Sequence, residues 1–599
     1  MHPIDFAAHS PLAAQALVNL AGDFAAHNHR PSGDQWAALG ALAETLEDMA
    51  DGVAPPKFFL SSLDPGVGKS QTLVKFIDTL LASAAHEHVG VLLCVSRLSE
   101  VKRMVRDSGI PVDMLHVLTS DPDLNGLGKA AADDARVLIT TQAMVESRLA
   151  ARPFAECGLF TFRGLPRAVR VWDEAFLPGQ PITLAADDLA YVFRRLTMLS
   201  PALRDEIKAI FDAIDKLPCG SVYVVPDFAS QHGVSLNDAL AVSGAGNEDE
   251  RVALSSLWFI SGKRVSIRRD GKFGGALIDY RETLPADLAP MVILDASGRV
   301  RSTYGDMEKE RGLEHLRRAT KDYSPLTVHV WQRGGGKSAF AEGGDTLAAG
   351  IAKTIDTRPT EEWLVVVHKR SGRVGDVKAN VLRLLSATPE SRVKFIHWGN
   401  HAATNEYADV PNVILAGTLF YRGSYYEALK RLAARRPAAR GTVTRDELEA
   451  VQIGEHAHLI LQALCRGAVR KCDGDKCHPA NAYIIASVRS GIPAALPAIF
   501  PGCRVAAWSP IPRKLNGDAE AAYQFVEAWA RSQRPGAVLK FRDIQRELGI
   551  DRKVFADTIR RGMPFREAIA ELGVVEWGEG KYSTGYQLIG PAPQMSEVS

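Results

Sequence analysis

Residues Lys57 to Leu81 read KFFLSSLDPGVGKSQTLVKFIDTLL. A short apolar run is followed by glycine punctuation and then by a helical pattern, so the segment predicts strand, loop and helix in that order. Within the loop, Gly66, Val67, Gly68, Lys69, Ser70 and Gln71 form a phosphate cradle. Glycines let backbone N–H groups turn inward and the helix N-terminus adds positive potential; Lys69 reaches the outer phosphates, and Ser70 is suited to Mg²⁺. Leu63 stands where the pattern G-x-x-x-x-G-K-[ST] asks for its first glycine, so the match rests on Gly66, Gly68, Lys69 and Ser70. An ordinary glycine-rich turn is the alternative, and it leaves the flanking strand and helix without a reason.

Outward from this loop the same alternation continues. Apolar runs at Val89 to Val95, Val137 to Thr141 and Val169 to Trp172 are separated by helical stretches, and a second set follows at Leu364 to Val367, Val393 to Ile396, Val413 to Ala416 and Ala482 to Ala486. Strands alternating with helices imply α/β units with parallel sheets covered on both faces. The expected organisation is a helical segment over 1–51 and a first α/β lobe over 52–325, interrupted by an insertion at about 180–289. A second lobe over 326–510 and a C-terminal unit over 518–590 complete it.

The chain has 599 residues, which exceeds one hydrophobic core and predicts several domains. Lys+Arg 71 against Asp+Glu 70 leaves a net charge of +1, so a polyanion partner must be held by local patches. Seven scattered cysteines are an odd number and do not read as a disulfide framework, which points to a reducing, cytoplasmic setting. The start MHPIDFAAHS lacks a cationic leader, and no apolar run approaches the roughly 20 residues that span a bilayer, so no membrane partner is expected.

The run VRVWDEAF, Val169 to Phe176, is an apolar strand ending in adjacent carboxylates. In phosphoryl transfer Asp173 would hold Mg²⁺ and Glu174 would polarise the attacking water, because that chemistry needs positioning and charge neutralisation. With the phosphate loop this makes ATP the expected cofactor. Here the chain resembles the superfamily 2, DEAD/DEAH-box-like helicases, of a prophage or plasmid type. Asp173-Glu174-Ala175 matches the acidic box, and Phe176 departs from it. Thr140 to Gln142 resembles a strand-contacting segment, and ILDAS, Ile293 to Ser297, resembles the Ser-Ala-Thr motif with Asp295 where Ser is usual. Val365 to Arg370 and His397 to Asn405 resemble second-lobe motifs in which Thr404 and Asn405 would face nucleic acid or nucleotide. Gln462 to Lys471, QALCRGAVRK, resembles the arginine-bearing helix that faces the nucleotide across the lobes. Arg466 keeps the spacing from Gln462, Arg470 falls one residue late, and either would supply the arginine finger.

The resemblance implies two RecA-like P-loop NTPase lobes binding ATP and Mg²⁺ between them and stepping along nucleic acid, DNA in preference to RNA, with replication or mobile-element proteins as partners. Upstream, Gln35 in RPSGDQWAAL stands where an adenine-reading glutamine precedes the phosphate loop. Cys472, Cys477 and His478 have poor spacing for zinc and read as a polar loop. The end of the chain resembles a winged helix-turn-helix, and a helical rotation puts Lys553, Arg560 and Arg561 on its outer, DNA-facing side. Two rivals share the nucleotide site: a phage terminase-like packaging ATPase, which needs a carboxylate cluster for its nuclease, and a nucleotide-switched DNA-binding regulator, which needs no Glu174.

Overall fold

The computed structural model describes residues 6, 9–150, 152–197, 199–243, 248–270, 274–371, 374–399, 406–511, 515–578 and 583–590. The chain divides into two compact units, Met1–Ala319 with Tyr421–Glu455, and Thr320–Phe420 with His456–Ser599. Among the described residues, no helix is long and apolar enough to cross a membrane.

The first unit is built on seven parallel strands: β1 Phe58–Ser61, β2 Val91–Val95, β3 Leu115–Leu118, β4 Val137–Thr141, β5 Val169–Asp173, β10 Met291–Leu294 and β11 Leu313–His315. Their spatial order is β11-β1-β10-β5-β2-β4-β3. Alternate side chains feed two cores, as the period of a strand requires. Phe59, Leu93 and Val171 join Phe76 and Leu80 on one face, while Leu60, Leu92 and Trp172 join Phe160 and Leu288 on the other. Burial on both faces is why these strands read as continuous apolar runs.

The helices Pro11–Ala26 and Gly33–Ala50 belong to the same core, through Leu12, Ala16, Leu42 and Leu46. Glu47, buried, joins the two helices. Its carboxylate accepts the N–H groups of Leu12 (3.1 Å) and Ala13 (2.7 Å), two donors that the first turn of a helix leaves without intrahelical partners.

Between β5 and β10 the chain leaves the sheet to form an antiparallel sheet of β6 Gly179–Ala185, β7 Val222–Val224, β8 Arg264–Arg269 and β9 Gly275–Glu282, in the order β6-β9-β8-β7. This insertion has its own core, including Leu184, Ile207, Leu257 and Ile267. Its return is fixed by Arg170, whose Nη1 donates to the carbonyls of Asp287, Leu288 and Ala289 at 3.0 Å each. Burial lowers the pKa of this guanidinium to about 10, still far above neutrality, so the charge remains. The excursion 421–455 also packs here. From the helix Gly423–Ala433, buried Arg431 donates to Ser266 Oγ (3.2 Å) and to Glu427 (2.8 Å), and Glu427 accepts from Arg268 at 3.1 Å.

The second unit has six parallel strands, β12 Leu326–Trp331, β13 Trp363–Val367, β14 Val393–His397, β15 Asn412–Leu415, β16 Ala480–Ile485 and β17 Arg504–Ala507, ordered β14-β13-β15-β16-β12-β17. The two parallel sheets are two RecA-like lobes. The C-terminal segment carries the helices Asp518–Ser532, Phe541–Leu548 and Met563–Glu571 around a small antiparallel sheet of β18 Val538–Lys540, β19 Val574–Trp577 and β20 Gly585–Leu588. Where a regular helical rotation is expected for Lys553, Arg560 and Arg561, the chain forms a π-helix, Val554–Ile559, with Arg560 N donating to Phe555 O. The wider turn changes the rotation per residue, so a 100° helical wheel fails there.

Glu47→Ala removes the acceptor of two buried N–H groups and should lower unfolding free energy by about 1–3 kcal/mol. A urea unfolding midpoint equal to wild type would show that the N-terminal helices are held by their apolar faces alone.

Candidate functional site

Parallel pairing sets three strand ends abreast. Ser61 of β1 registers with Leu294 of β10, and Leu294 registers with Asp173 of β5. The loops that follow, Ser62 to Gly68, Asp295 to Val300 and Glu174 to Leu177, therefore leave one edge of one sheet, about 4.8 Å apart from strand to strand.

In the first loop Gly66 (φ +87°) and Gly68 (φ +127°) take left-handed backbone open to glycine, and the helix Lys69–Ala82 starts directly after. Lys69 Nζ donates to the carbonyl of Leu63 and, at 3.4 Å, to that of Asp64. Its ammonium thus lies folded over the loop that would receive a phosphate. Ser70 is half-buried, and Gln71 is exposed on the first turn of the helix. Asp64 is fully buried and accepts both Nε (3.1 Å) and Nη2 (3.0 Å) of Arg299, so the loop is tied to the segment that follows β10.

That segment holds a second buried carboxylate. Asp295 accepts from Ser297 N (2.9 Å), Ser297 Oγ (2.7 Å) and the Tyr304 hydroxyl (2.6 Å). The same hydroxyl accepts the backbone N–H of Phe176 at 3.0 Å. Burial, with Asp295 beside it, raises the Tyr304 pKa well above its ordinary value, so the phenol stays protonated and keeps donating. The Tyr304 hydroxyl thus bridges the loop after β5 and ILDAS through the Phe176 backbone.

Glu174 sits at φ +81°, a conformation that a residue with a Cβ adopts rarely, and its N–H donates to Leu294 O at 3.1 Å. Asp173 is buried at the strand end, and Gln142 of the TTQ segment donates Nε2 to its carbonyl at 2.7 Å. Carboxylate and hydroxyl oxygens are the hard donors that Mg²⁺ takes, and Asp173 and Ser70 offer that pair.

Gln35 is fully buried. Its Oε1 accepts from Ser32 N at 3.0 Å and its N–H donates to Ser32 Oγ at 3.3 Å, a reciprocal capping box, while Nε2 has no hydrogen-bond partner. The stretch just before it reaches the phosphate loop. His29 Nε2 lies 3.3 Å from the Val67 carbonyl, and a Cβ on Gly68 would meet Phe24 Cζ at 2.5 Å.

In the second unit the expected arginine helix stops at Leu464, short of both arginines. Gly467 accounts for the stop: the chain passes so close to Val410 and Val413 that a Cβ there would clash, and Ala468 N donates to Val410 O at 2.8 Å. Arg466, 3% exposed, donates Nη2 to Gln462 Oε1 at 3.2 Å, whereas Arg470 ends a short 3₁₀ turn and is half-buried. The two therefore do not share a helical face. Thr404 and Asn405 lie outside the described residues. Lys553 and Arg561 are exposed, the latter on Asp557 at 2.8 Å. Arg560 turns inward over the Phe541 ring at 4.9 Å, with Glu576 3.8 Å away, and leaves the outer face expected for it. Cys472 and Cys477 are buried cross-strand neighbours in a hairpin, not a polar loop, and burial pushes the Cys477 thiol up to about 12. Among the described residues no group of three or more His, Cys, Asp or Glu could hold a metal ion.

Arg299 and Tyr304 escape a reading of the sequence. Arg299 follows ILDAS by two residues and had no partner to suggest it, since Asp64 lies 235 positions away.

No protein-family model matches the chain, and no curated protein sequence matches it. Solved structures similar to it include an apo form of XPD, at 14% identity over 78% of this chain and 99% of that one, with a TM-score of 0.44. S. cerevisiae Dbp5 bound to RNA and ADP BeF3 is similar at 10% identity over 84% and 94%, with a TM-score of 0.33. Mycobacterium smegmatis helicase Lhr bound to ssDNA and AMP-PNP is similar at 10% identity over 97% and 60%, with a TM-score of 0.35. These structures share little sequence with the chain, so its function is read from its own residues.

Tyr304→Phe deletes the hydroxyl that joins Asp295 to the buried Phe176 N–H and should cost about 1–3 kcal/mol. The check is a urea midpoint for the variant; no shift would mean that the acidic box is held by its strand alone.

Proposed function

We propose that the chain is an ATP-dependent nucleic-acid helicase or translocase acting on DNA in preference to RNA. One juxtaposition carries the reading: a lysine-bearing phosphate loop and an Asp-Glu pair leave adjacent ends of the same parallel sheet, with Asp295 between them. A phosphate on the loop would draw Lys69 Nζ off the Leu63 and Asp64 carbonyls that it now caps. Backbone N–H groups from Gly66 to Ser70 and the N-terminus of the 14-residue helix that follows would hold phosphate oxygens. Ser70 and Asp173 are the residues to hold Mg²⁺, which when bound neutralises charge on the outer phosphates.

Glu174 is the candidate base. Its main chain is pinned to Leu294, which gives the carboxylate a fixed origin from which to accept a proton from water. Arg466, packed on Gln462, is the first candidate for the cation that meets developing phosphoryl charge, and Arg470 is the second. Gln35 follows, by six residues, the His29 that lies against the Val67 carbonyl, and its unsatisfied Nε2 supports an adenine-reading role as donor. For the C-terminal unit, three helices and a three-stranded antiparallel sheet support a winged helix-turn-helix, with Lys553 and Arg561 as its exposed cations toward DNA.

Two variants test this. Lys69→Ala should abolish ATP turnover, because it deletes the charge that follows the outer phosphates. Glu174→Gln should bind ATP as wild type does and lower kcat by about 10²- to 10⁴-fold. Equilibrium nucleotide binding and phosphate release measured on both would decide. Wild-type turnover in Lys69→Ala would remove this loop as the ATP site and the motor with it, whereas wild-type turnover in Glu174→Gln would place the base elsewhere.

A further inference from the structure

The tripeptide that opens the nucleotide-site helix occurs again in the second unit. Gly68-Lys69-Ser70 follows β1, and Gly336-Lys337-Ser338 follows β12, with a helix beginning at the lysine in both cases. The two strands hold equivalent places. β1 lies between an edge strand and β10, and β12 lies between an edge strand and β16. The second loop, Gln332 to Gly336, cannot serve ATP hydrolysis. It is two residues shorter than Ser62 to Gly68, and none of its glycines takes a left-handed φ. The strand equivalent to β5 is β15, which is followed by Ala416-Gly417-Thr418 and offers no carboxylate. The helix also breaks at Gly343, so the cationic charge here comes from Lys337 rather than from a long helix dipole.

What surrounds the loop points to a ligand. Gly335 and Gly417 pack backbone to backbone, since a Cβ on Gly417 would meet Gly335 O at 1.9 Å, and the Gly335 carbonyl accepts Thr418 N at 3.1 Å. Thr418, 1% exposed, stands on this contact with its hydroxyl lacking any hydrogen-bond partner. A buried hydroxyl without a partner is uncommon and calls for a group to receive it. His368 Nε2 lies 3.0 Å from the same Gly335 carbonyl, which can only accept, so Nε2 carries the proton. His368 Nδ1 is buried without a partner. Lys337, Ser338 and Gly334 are exposed, so the loop is reachable from solvent. Arg333 is held aside, paired with Glu567 and over the Trp331 ring at 4.9 Å. Directly on the loop lies Phe420, whose ring is 3.5 Å from where a Cβ of Gly336 would stand, and it is 42% exposed. The Phe420 ring also meets the His456 ring edge-on, 4.6 Å between centroids, and its remaining surface is open. A lysine-bearing loop beside a partly exposed aromatic ring matches one unit of a single strand, with the phosphate on the loop and the base on the open side of the ring.

We infer that Gly334 to Ser338, Thr418 and Phe420 form a single-stranded nucleic-acid subsite of the second unit, with Lys337 and the Thr418 hydroxyl on one backbone phosphate and Phe420 under the adjoining base. The inference rests on the nucleic-acid function proposed above and adds where the second unit grips the strand.

The test is anisotropy of a fluorescein-labelled oligothymidylate of about twenty nucleotides, titrated with the full chain over a series of salt concentrations. Lys337→Ala should weaken binding and reduce the slope of log K against log salt by about 0.7, the value of one single-strand phosphate contact, whereas Lys337→Arg should keep the slope. Phe420→Ala should weaken binding by about 5- to 150-fold with the slope unchanged, since stacking releases no counterion. Thr418→Val, which keeps volume, should weaken binding without changing the slope. Affinities and slopes equal to wild type in both Lys337→Ala and Phe420→Ala would overturn the subsite while leaving the proposed function intact. If Lys337→Ala instead lost affinity for a fluorescent ATP analogue and kept the oligonucleotide, the loop would serve a mononucleotide and the inference would fall. A wild-type chain that binds neither DNA nor RNA would overturn the proposed function itself, and this subsite with it.

Discussion

The hydroxyl of Tyr304 bonds two loops at once, donating to Asp295 and accepting the N–H of Phe176. Both partners are buried, so neither has water as a substitute, and the two loops are constrained to one relative position. The Asp64–Arg299 pair extends the constraint to the phosphate loop. Three loops from three adjacent parallel strands thus behave as one rigid rim. Breaking a buried ion pair by removing one partner typically costs about 3–5 kcal/mol, which is why such a pair holds a loop more firmly than surface contacts do.

The rim is supported from behind by the N-terminal helices. Phe24 occupies the space beside Gly68, and His29 lies against the Val67 carbonyl. Gly68 is therefore doubly required, by its φ of +127° and by the aromatic ring that leaves no room for a Cβ. Glu47 fixes the helix that carries Phe24, so the conformation of the phosphate loop depends on a carboxylate in another helix.

The alternation of strands and helices was legible because parallel strands buried on both faces must be apolar throughout. The strand, glycine turn and helix over Lys57 to Leu81 were legible because an apolar run, paired glycines and a helical period each leave their own mark. Long-range partnerships were not. Nothing local in 421–455 says that Arg431 is buried against Ser266 of the insertion, so that excursion could not be assigned to the first unit. The end of the arginine helix hinges on the space at Gly467, and the inward turn of Arg560 hinges on a π-helix, which a regular helical period cannot anticipate. Gly336-Lys337-Ser338 went unread because it lacks the longer glycine spacing that usually announces a phosphate loop.

The central claim is that the rim hydrolyses ATP in response to a nucleic-acid strand. Steady-state phosphate release by the wild-type chain, with Mg²⁺ and ATP, compared without nucleic acid and with single-stranded DNA, RNA or duplex, tests it most directly. Stimulation of turnover by single-stranded DNA above the other conditions is the predicted result. A rate that is the same in all four conditions would contradict the account, because the ATP site would then answer to no strand.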